Sequence, residues 1–220
     1  MASTNIPLPS RSKQKDLLRR SRGFWLRQLH SWHWISSAVA LAGLLLFTIS
    51  GVTLNHAADI EAEPDIVQTK ASLDSNLLAL MEPFAEGDLA PIPGDIRQAA
   101  GRKLDISIPD TPAEWSEFEV YLTMPRPGGD AWLSIDRKTG AIVYEKTDRG
   151  WIAYLNDLHK GRDTGVVWRW FIDIFAAAAT VFIVTGFVLL FMHSRNRPAT
   201  WPVTGLGLVI PVLLILLFVH

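Results

Sequence analysis

Three uninterrupted apolar stretches constrain this chain more than any other feature. "WISSAVALAGLLLFTISGVTLN" (34–55), "IFAAAATVFIVTGFVLLFM" (174–192) and "PVTGLGLVIPVLLILLFV" (202–219) carry no charged residue. At about 1.5 Å per residue, each is long enough as a helix to cross the roughly 30 Å hydrocarbon layer of a bilayer. The overall composition, 49% hydrophobic and 20% charged, is that of an ordinary soluble protein, so the information lies in the clustering. The pattern predicts three transmembrane helices.

The first stretch follows about thirty polar and basic residues, and its apolar core is too long for a cleaved leader, so it is expected to stay in the protein. Residues 1–33 hold Arg11, Lys13, Lys15, Arg19, Arg20, Arg22 and Arg27 against the single acid Asp16, and "HSRNRPAT" adds Arg195 and Arg197. Short basic flanks stay on the cytoplasmic side. The expected order across the membrane is therefore a basic cytoplasmic segment (1–29), a first helix (30–56), an external domain (57–160), a second helix (166–193), a cytoplasmic loop (194–201) and a third helix (202–220). His220 then ends outside. Residues 57–165 contain 20 acids and 11 bases, in keeping with that placement. The basic N-terminal segment also carries Phe24 and Trp25, but anionic lipid explains it more simply than nucleic acid does.

The chain has no cysteine, which excludes disulfides, thiolate-held zinc, iron–sulfur clusters, covalently attached haem and cysteine nucleophiles. It also lacks the metalloprotease, nucleophile-elbow, phosphate-loop and dinucleotide signatures. Histidine, carboxylate, tyrosine and backbone are left to carry any chemistry, and a reductant for any redox reaction must come from another molecule.

In the external segment, "SLDSNLLALMEPF" (72–84) and "GDIRQAAGRK" (94–103) are expected helices. "EFEVYLTM" (117–124), "DAWLSID" (130–136) and "GAIVYEK" (140–146) are expected strands, joined by the turns "PRPGG" and "DRKTG". Two short turns between three strands predict an antiparallel meander with helices on one face, an α+β module.

"AWLSIDRKTGAIVYE" resembles a PepSY domain, in which a D-x-x-T-G turn joins the last two strands. "LRQLHSWHWISSAVALAGLLLFTISGVTLNHA" and "YLNDLHKGRDTGVVWRWFIDIFAAAATVFIVTGFVLLFMHSR" resemble the first helix and the following helix of the PepSY-associated transmembrane (PepSY_TM) family. The resemblance covers roughly residues 25–195. Larger relatives have a longer external region and a fourth helix, so this is a short, three-helix form. The fold class implied is a membrane α-helical protein with a small α+β PepSY-like periplasmic domain between helices 1 and 2.

Five of the six histidines fall at the two ends of these helices. His30, His33 and His193 lie at the cytoplasmic end, and His56 and His159 at the outer end; His220 is terminal and has no evident role. An interfacial histidine also serves simply as an amphipathic residue. Imidazole is equally a common axial ligand of haem iron, and facing helices of a bundle are a usual place to hold one. Two haems of b type, with His30, His193, His56 and His159 as metal ligands, are the expected cofactors. At about 100° per residue, His30 is about 80° from the face of His56 and His33 about 140°. The rise argues the other way, because His30 and His56 are about 39 Å apart along a helix. His33 therefore remains the alternative inner ligand.

Arg169 and Asp173, four residues apart, are further candidates for the cofactor site. Arg169, Arg162 or Lys160 would neutralise propionates and Asp173 would orient an imidazole, the alternative being an interfacial ion pair. Asn55 beside His56 is open to both readings. Gly43, Gly51, Gly186, Gly205 and Gly207 are expected to let helices pack closely. No catalytic residue is assigned.

The function so implied is electron transfer across the bilayer, from a quinol or a cytoplasmic flavoprotein to a periplasmic ferric siderophore or flavoprotein, in iron acquisition. Whether the protein is itself a membrane reductase or only a haem subunit is left open. The alternative is a non-redox, membrane-anchored PepSY module that binds or regulates a peptidase or another periplasmic partner. Three helices are a thin shell for two macrocycles, so a homodimer or a partner subunit is also expected.

Overall fold

The computed structural model describes residues 11–60 and 63–219. His220 lies outside the described residues, as do the side chains of Arg11, Lys13, Lys15, Asp16 and Arg19. Three helices are long and apolar enough to cross a membrane: α1 (Arg11–Asn55), α5 (Gly165–His193) and α6 (Thr200–Phe218). Their large apolar side chains, from Leu41 and Leu45 to Leu216 and Phe218, stand exposed to the surroundings. In water that surface would be untenable, whereas in hydrocarbon it is solvated and the helix satisfies its own backbone. The chain is a membrane protein.

Between α1 and α5 the chain forms a six-stranded antiparallel sheet in the order β1-β6-β5-β4-β3-β2. The strands are β1 (Asp65–Ser72), β2 (Leu89–Pro91), β3 (Pro112–Trp115), β4 (Glu119–Thr123), β5 (Gly129–Asp136) and β6 (Ala141–Asp148). The helices α2 (Ser75–Leu78), α3 (Gly94–Leu104) and α4 (Gly150–Lys160) complete it. Alternation in β4 and β5 sends Val120, Leu122, Leu133 and Ile135 inward, where with Trp115, Ile142 and Met81 they pack against Ile96, Ala99, Ala100 and Leu104 of α3.

The D-x-x-T-G turn has a physical basis. Asp136 Oδ1 accepts the N–H groups of Lys138 (2.9 Å) and Thr139 (2.7 Å), and Gly140 takes φ +71°, which glycine adopts without strain. Those hydrogen bonds, from Thr139 first, hold the Asp136 carboxyl below its ordinary pKa.

The structure departs from the expected elements in the sheet's first half. Only residues 75–81 of the expected 72–84 helix are helical, as α2 and a 3-10 turn, because residues up to Ser72 belong to β1. The strands β1, β2 and β3 join the expected meander.

The chain divides into two compact units. One combines the described residues up to Leu45 with those from Asp173 onward, and the other is Leu46–Ile172.

Candidate functional site: histidines held at two helix surfaces

In the first unit, His33 of α1 lies half-buried against α5. Its Nδ1 is 3.0 Å from Thr185 Oγ1, and its ring stacks on Phe182 at 4.8 Å between centroids. Thr185 already donates its single hydroxyl proton within its own helix, to Val181 O at 2.7 Å. A hydroxyl has one proton and two lone pairs, so the contact with His33 must be donated by the imidazole. Nδ1 is the donor to Thr185, which leaves Nε2 as the nitrogen not engaged by it.

One turn nearer the start of α1, His30 faces His193, with ring centroids 6.2 Å apart and planes at 67°. His193 Nδ1 lies 2.8 Å from Leu189 O, an acceptor only, so this ring too is protonated at Nδ1 and open at Nε2. An apolar groove of about 800 Å³ runs along the same two helices, with Leu29, Trp32, Thr185, Val188 and Met192 in its wall and Arg22 beside them.

In the second unit, His159 of α4 repeats the arrangement seen at His33. Its Nδ1 is 2.8 Å from Ser50 Oγ, which donates to Leu46 O at 2.7 Å, and its ring lies 5.0 Å from that of Phe47. Ser50 is buried, and its hydroxyl likewise has only a lone pair to offer. His56 is exposed, and its Nδ1 meets Asp59 Oδ2 at 3.1 Å. His56 and His159 therefore have separate partners, and Ser50 lies about 9 Å along α1 from His56.

The helix α4 is fastened by the four consecutive residues "NDLH". Asn156 Oδ1 accepts from Thr53 (2.8 Å), buried Asp157 accepts the N–H of Gly128 (2.9 Å), and Leu158 O accepts from Trp168 Nε1 (2.9 Å). His159 then reaches Ser50. Arg162 lies 3.5 Å from Asp157 Oδ1, and Arg149 is 3.9 Å from Oδ2. Arg162 thus belongs to an ion pair within the domain. Lys160, Arg169 and Asp173 are exposed, as is Asn55.

The glycines divide by role. A Cβ on Gly43 would collide with the Phe175 ring, which is the close helix packing expected of it. A Cβ on Gly186 would stand 3.1 Å from His33 Cε1, a tight approach, and one on Gly51 3.5 Å from His159 Cε1, an ordinary contact, while one on Gly205 or Gly207 would meet nothing within 4 Å. The sequence reading missed Ser50, Thr185 and Arg22 as site residues. A spacing signal for the first two exists: "FTISG" (47–51) and "FIVTG" (182–186) match position by position.

Among the described residues no cluster of three or more His, Cys, Asp or Glu is placed to hold a bare metal ion. Haem makes a smaller demand, because the porphyrin supplies four ligands and the protein one or two imidazoles. Two imidazoles bound to opposite sides of one metal, each at about 2 Å, have ring centres about 6 Å apart. The His30–His193 centroid spacing of 6.2 Å suits two such ligands, whereas the groove along the same helices is lined by none of these histidines. By residue type and ring spacing alone, the inner group is suited to hold a haem. At the outer end they provide two open imidazoles, His56 and His159, on separate supports.

The fold and these histidines define a class: a three-span membrane protein with an antiparallel sheet domain between its first two spans and imidazoles anchored on the helices. Residues 24–220 match the family model described as PepSY_TM-like, and the chain belongs to that family. No curated protein and no solved structure matches it.

Proposed function

We propose that the protein is an inner-membrane electron-transfer protein that binds haem b, expected at two sites, and passes electrons across the bilayer to a periplasmic acceptor. A ferric siderophore or an exported flavoprotein is the acceptor class, and a quinol or a cytoplasmic flavoprotein the donor. The sheet domain is then the periplasmic PepSY domain, and α1 begins in the cytoplasm. The observation that carries this reading is the state of the imidazoles. His33, His56, His159 and His193 each have Nδ1 engaged by a neighbouring oxygen, which leaves Nε2 as the ligating atom.

Bound haem supplies reversible one-electron exchange at iron. The chain's own part is to present imidazoles from His30, His33 and His193 at one end and from His56 and His159 at the other. The apolar helix surfaces exclude water, and basic side chains such as Arg22 offset propionate charge.

The visible spectrum of the protein purified from haem-replete cells is the test. A Soret band that sharpens on dithionite reduction is expected, and a colourless protein would end the proposal. Replacement of His56 or His159 by alanine should remove one haem equivalent and leave the other. Equal loss from His30→Ala and His193→Ala would assign those two to one iron.

A second reading is favoured by the sheet's open face. Tyr121 and Trp132 stack there at 5.8 Å, beside a cleft of about 530 Å³ lined by Glu86, Asp88, Glu114 and Glu119. An aromatic pair with an acidic surround suits partner binding, in keeping with a tethered, non-redox PepSY module. Haem-free protein that still binds a periplasmic partner through this face would favour it.

A further inference from the structure

The two imidazole contacts described above share more than a hydroxyl. In each, a five-residue stretch of pattern F-x-x-[S/T]-G receives a histidine from another helix, and the same three positions make the same three contacts. Phe47 and Phe182, at the first position, lie against the ring at 5.0 and 4.8 Å. Ser50 and Thr185, at the fourth, meet Nδ1 at 2.8 and 3.0 Å while donating to the carbonyl four residues back. At the fifth position a Cβ would meet ring atom Cε1, at 3.1 Å for Gly186 and His33, which is tight, and at 3.5 Å for Gly51 and His159, an ordinary contact. Helix geometry explains the spacing: the first, fourth and fifth positions fall on one surface within a turn of each other, at about 100° per residue. The aromatic ring lies beside the imidazole, stacked at 18° for Phe182 and tilted at 51° for Phe47, the lone pair fixes the ring edge, and at Gly186 the absent side chain lets that edge sit close to the helix.

We infer that F-x-x-[S/T]-G is an imidazole cradle used twice in this chain, that His33 and His159 are its equivalent occupants, and that Thr185 and Ser50 are their positioning residues. This rests on the haem reading for what the imidazoles do, and it goes beyond that reading by choosing among them. The inner group offers three imidazoles for two axial positions. The cradle singles out His33, whose ring is held at nitrogen, face and edge, as the counterpart of His159. The rival geometry is the His30–His193 pair, whose spacing also suits a single metal. Engaging Nδ1 serves ligation directly, because it leaves Nε2 as the ring nitrogen that can face a metal.

The experiment compares Thr185→Ala and Thr185→Ser, and Ser50→Ala and Ser50→Thr, in the full-length protein in nanodiscs. Two readouts are taken: low-spin haem EPR with redox titration, and ring nitrogen-15 shifts of selectively labelled histidine in the haem-free protein. The alanine forms should each shift the g-values and midpoint of one haem only, and the hydroxyl-keeping forms should restore them. In the haem-free protein, His33 and His159 should give a single Nδ1–H tautomer, replaced by a mixture in the corresponding alanine form. If haem binds and its signatures are the same in both alanine forms, or if His30→Ala abolishes the inner haem while His33→Ala spares it, the inference fails and the haem reading stands. If no haem binds, the haem reading fails. The nitrogen shifts then decide the cradle alone: a locked tautomer released by alanine supports it, and mixed tautomers in the unaltered protein overturn it.

Discussion

At the scale of single residues, the most consequential side chain outside the histidines is Asp157. It is buried, it accepts the Gly128 N–H, and it lies beside Arg149 and Arg162, so its removal leaves a backbone donor without a partner and takes one of two carboxylates from each of the arginines, which keep Asp130 and Asp163. The arginines are about one-third and one-half exposed, which tempers the loss. Asp157→Ala is expected to destabilise the sheet domain by about 2 kcal/mol, read from urea denaturation followed by tryptophan fluorescence. Asp136 gives a pH-dependent counterpart. Because its folded pKa lies below the unfolded value of about 3.9, its contribution is present above that value and disappears as the pH falls through the folded pKa. Asp136→Asn should therefore reduce stability at neutral pH and leave the variant and the parent alike once both are in strong acid, as acid titration of unfolding would reveal.

At the scale of elements, local patterns carried the reading and long-range ones did not. The three apolar helices and the strands β4 to β6 announce themselves through run length and alternation. β1 does not, because most of Asp65–Ser72 is exposed at a sheet edge, and its partner β6 lies some seventy residues away in sequence. β2 is only three residues long. α4 escaped because it turns Asn156 and Asp157 inward, the reverse of an amphipathic pattern. The site was legible in the same uneven way. The histidines sort by depth along the sequence, whereas their hydroxyl partners look like ordinary small residues of a span until the helices are packed. A packing test follows from Gly43, where a side chain would enter the Phe175 ring. Gly43→Val should cost about 1–3 kcal/mol by overpacking and lower the melting temperature in detergent, while Gly205→Val, which meets open space, should change it little.

At the scale of the whole molecule, the absence of cysteine makes topology directly measurable, because a single introduced thiol has no background. A cysteine at Asp105, in the sheet domain, should react with an impermeant maleimide in cells whose outer membrane alone has been opened. One at Arg195 should react only once the inner membrane is breached. Identical labelling at the two positions would reverse or dissolve the proposed orientation. The crowded duties of α4 bear on the lineage as well. An eleven-residue helix that must satisfy a threonine, a turn amide, an indole and a buried serine through four successive positions has little freedom left to drift. When relatives are aligned, substitutions should gather at exposed Trp151, Tyr154 and Lys160, and any exchange at 156 or 159 should arrive with a matching exchange at 53 or 50.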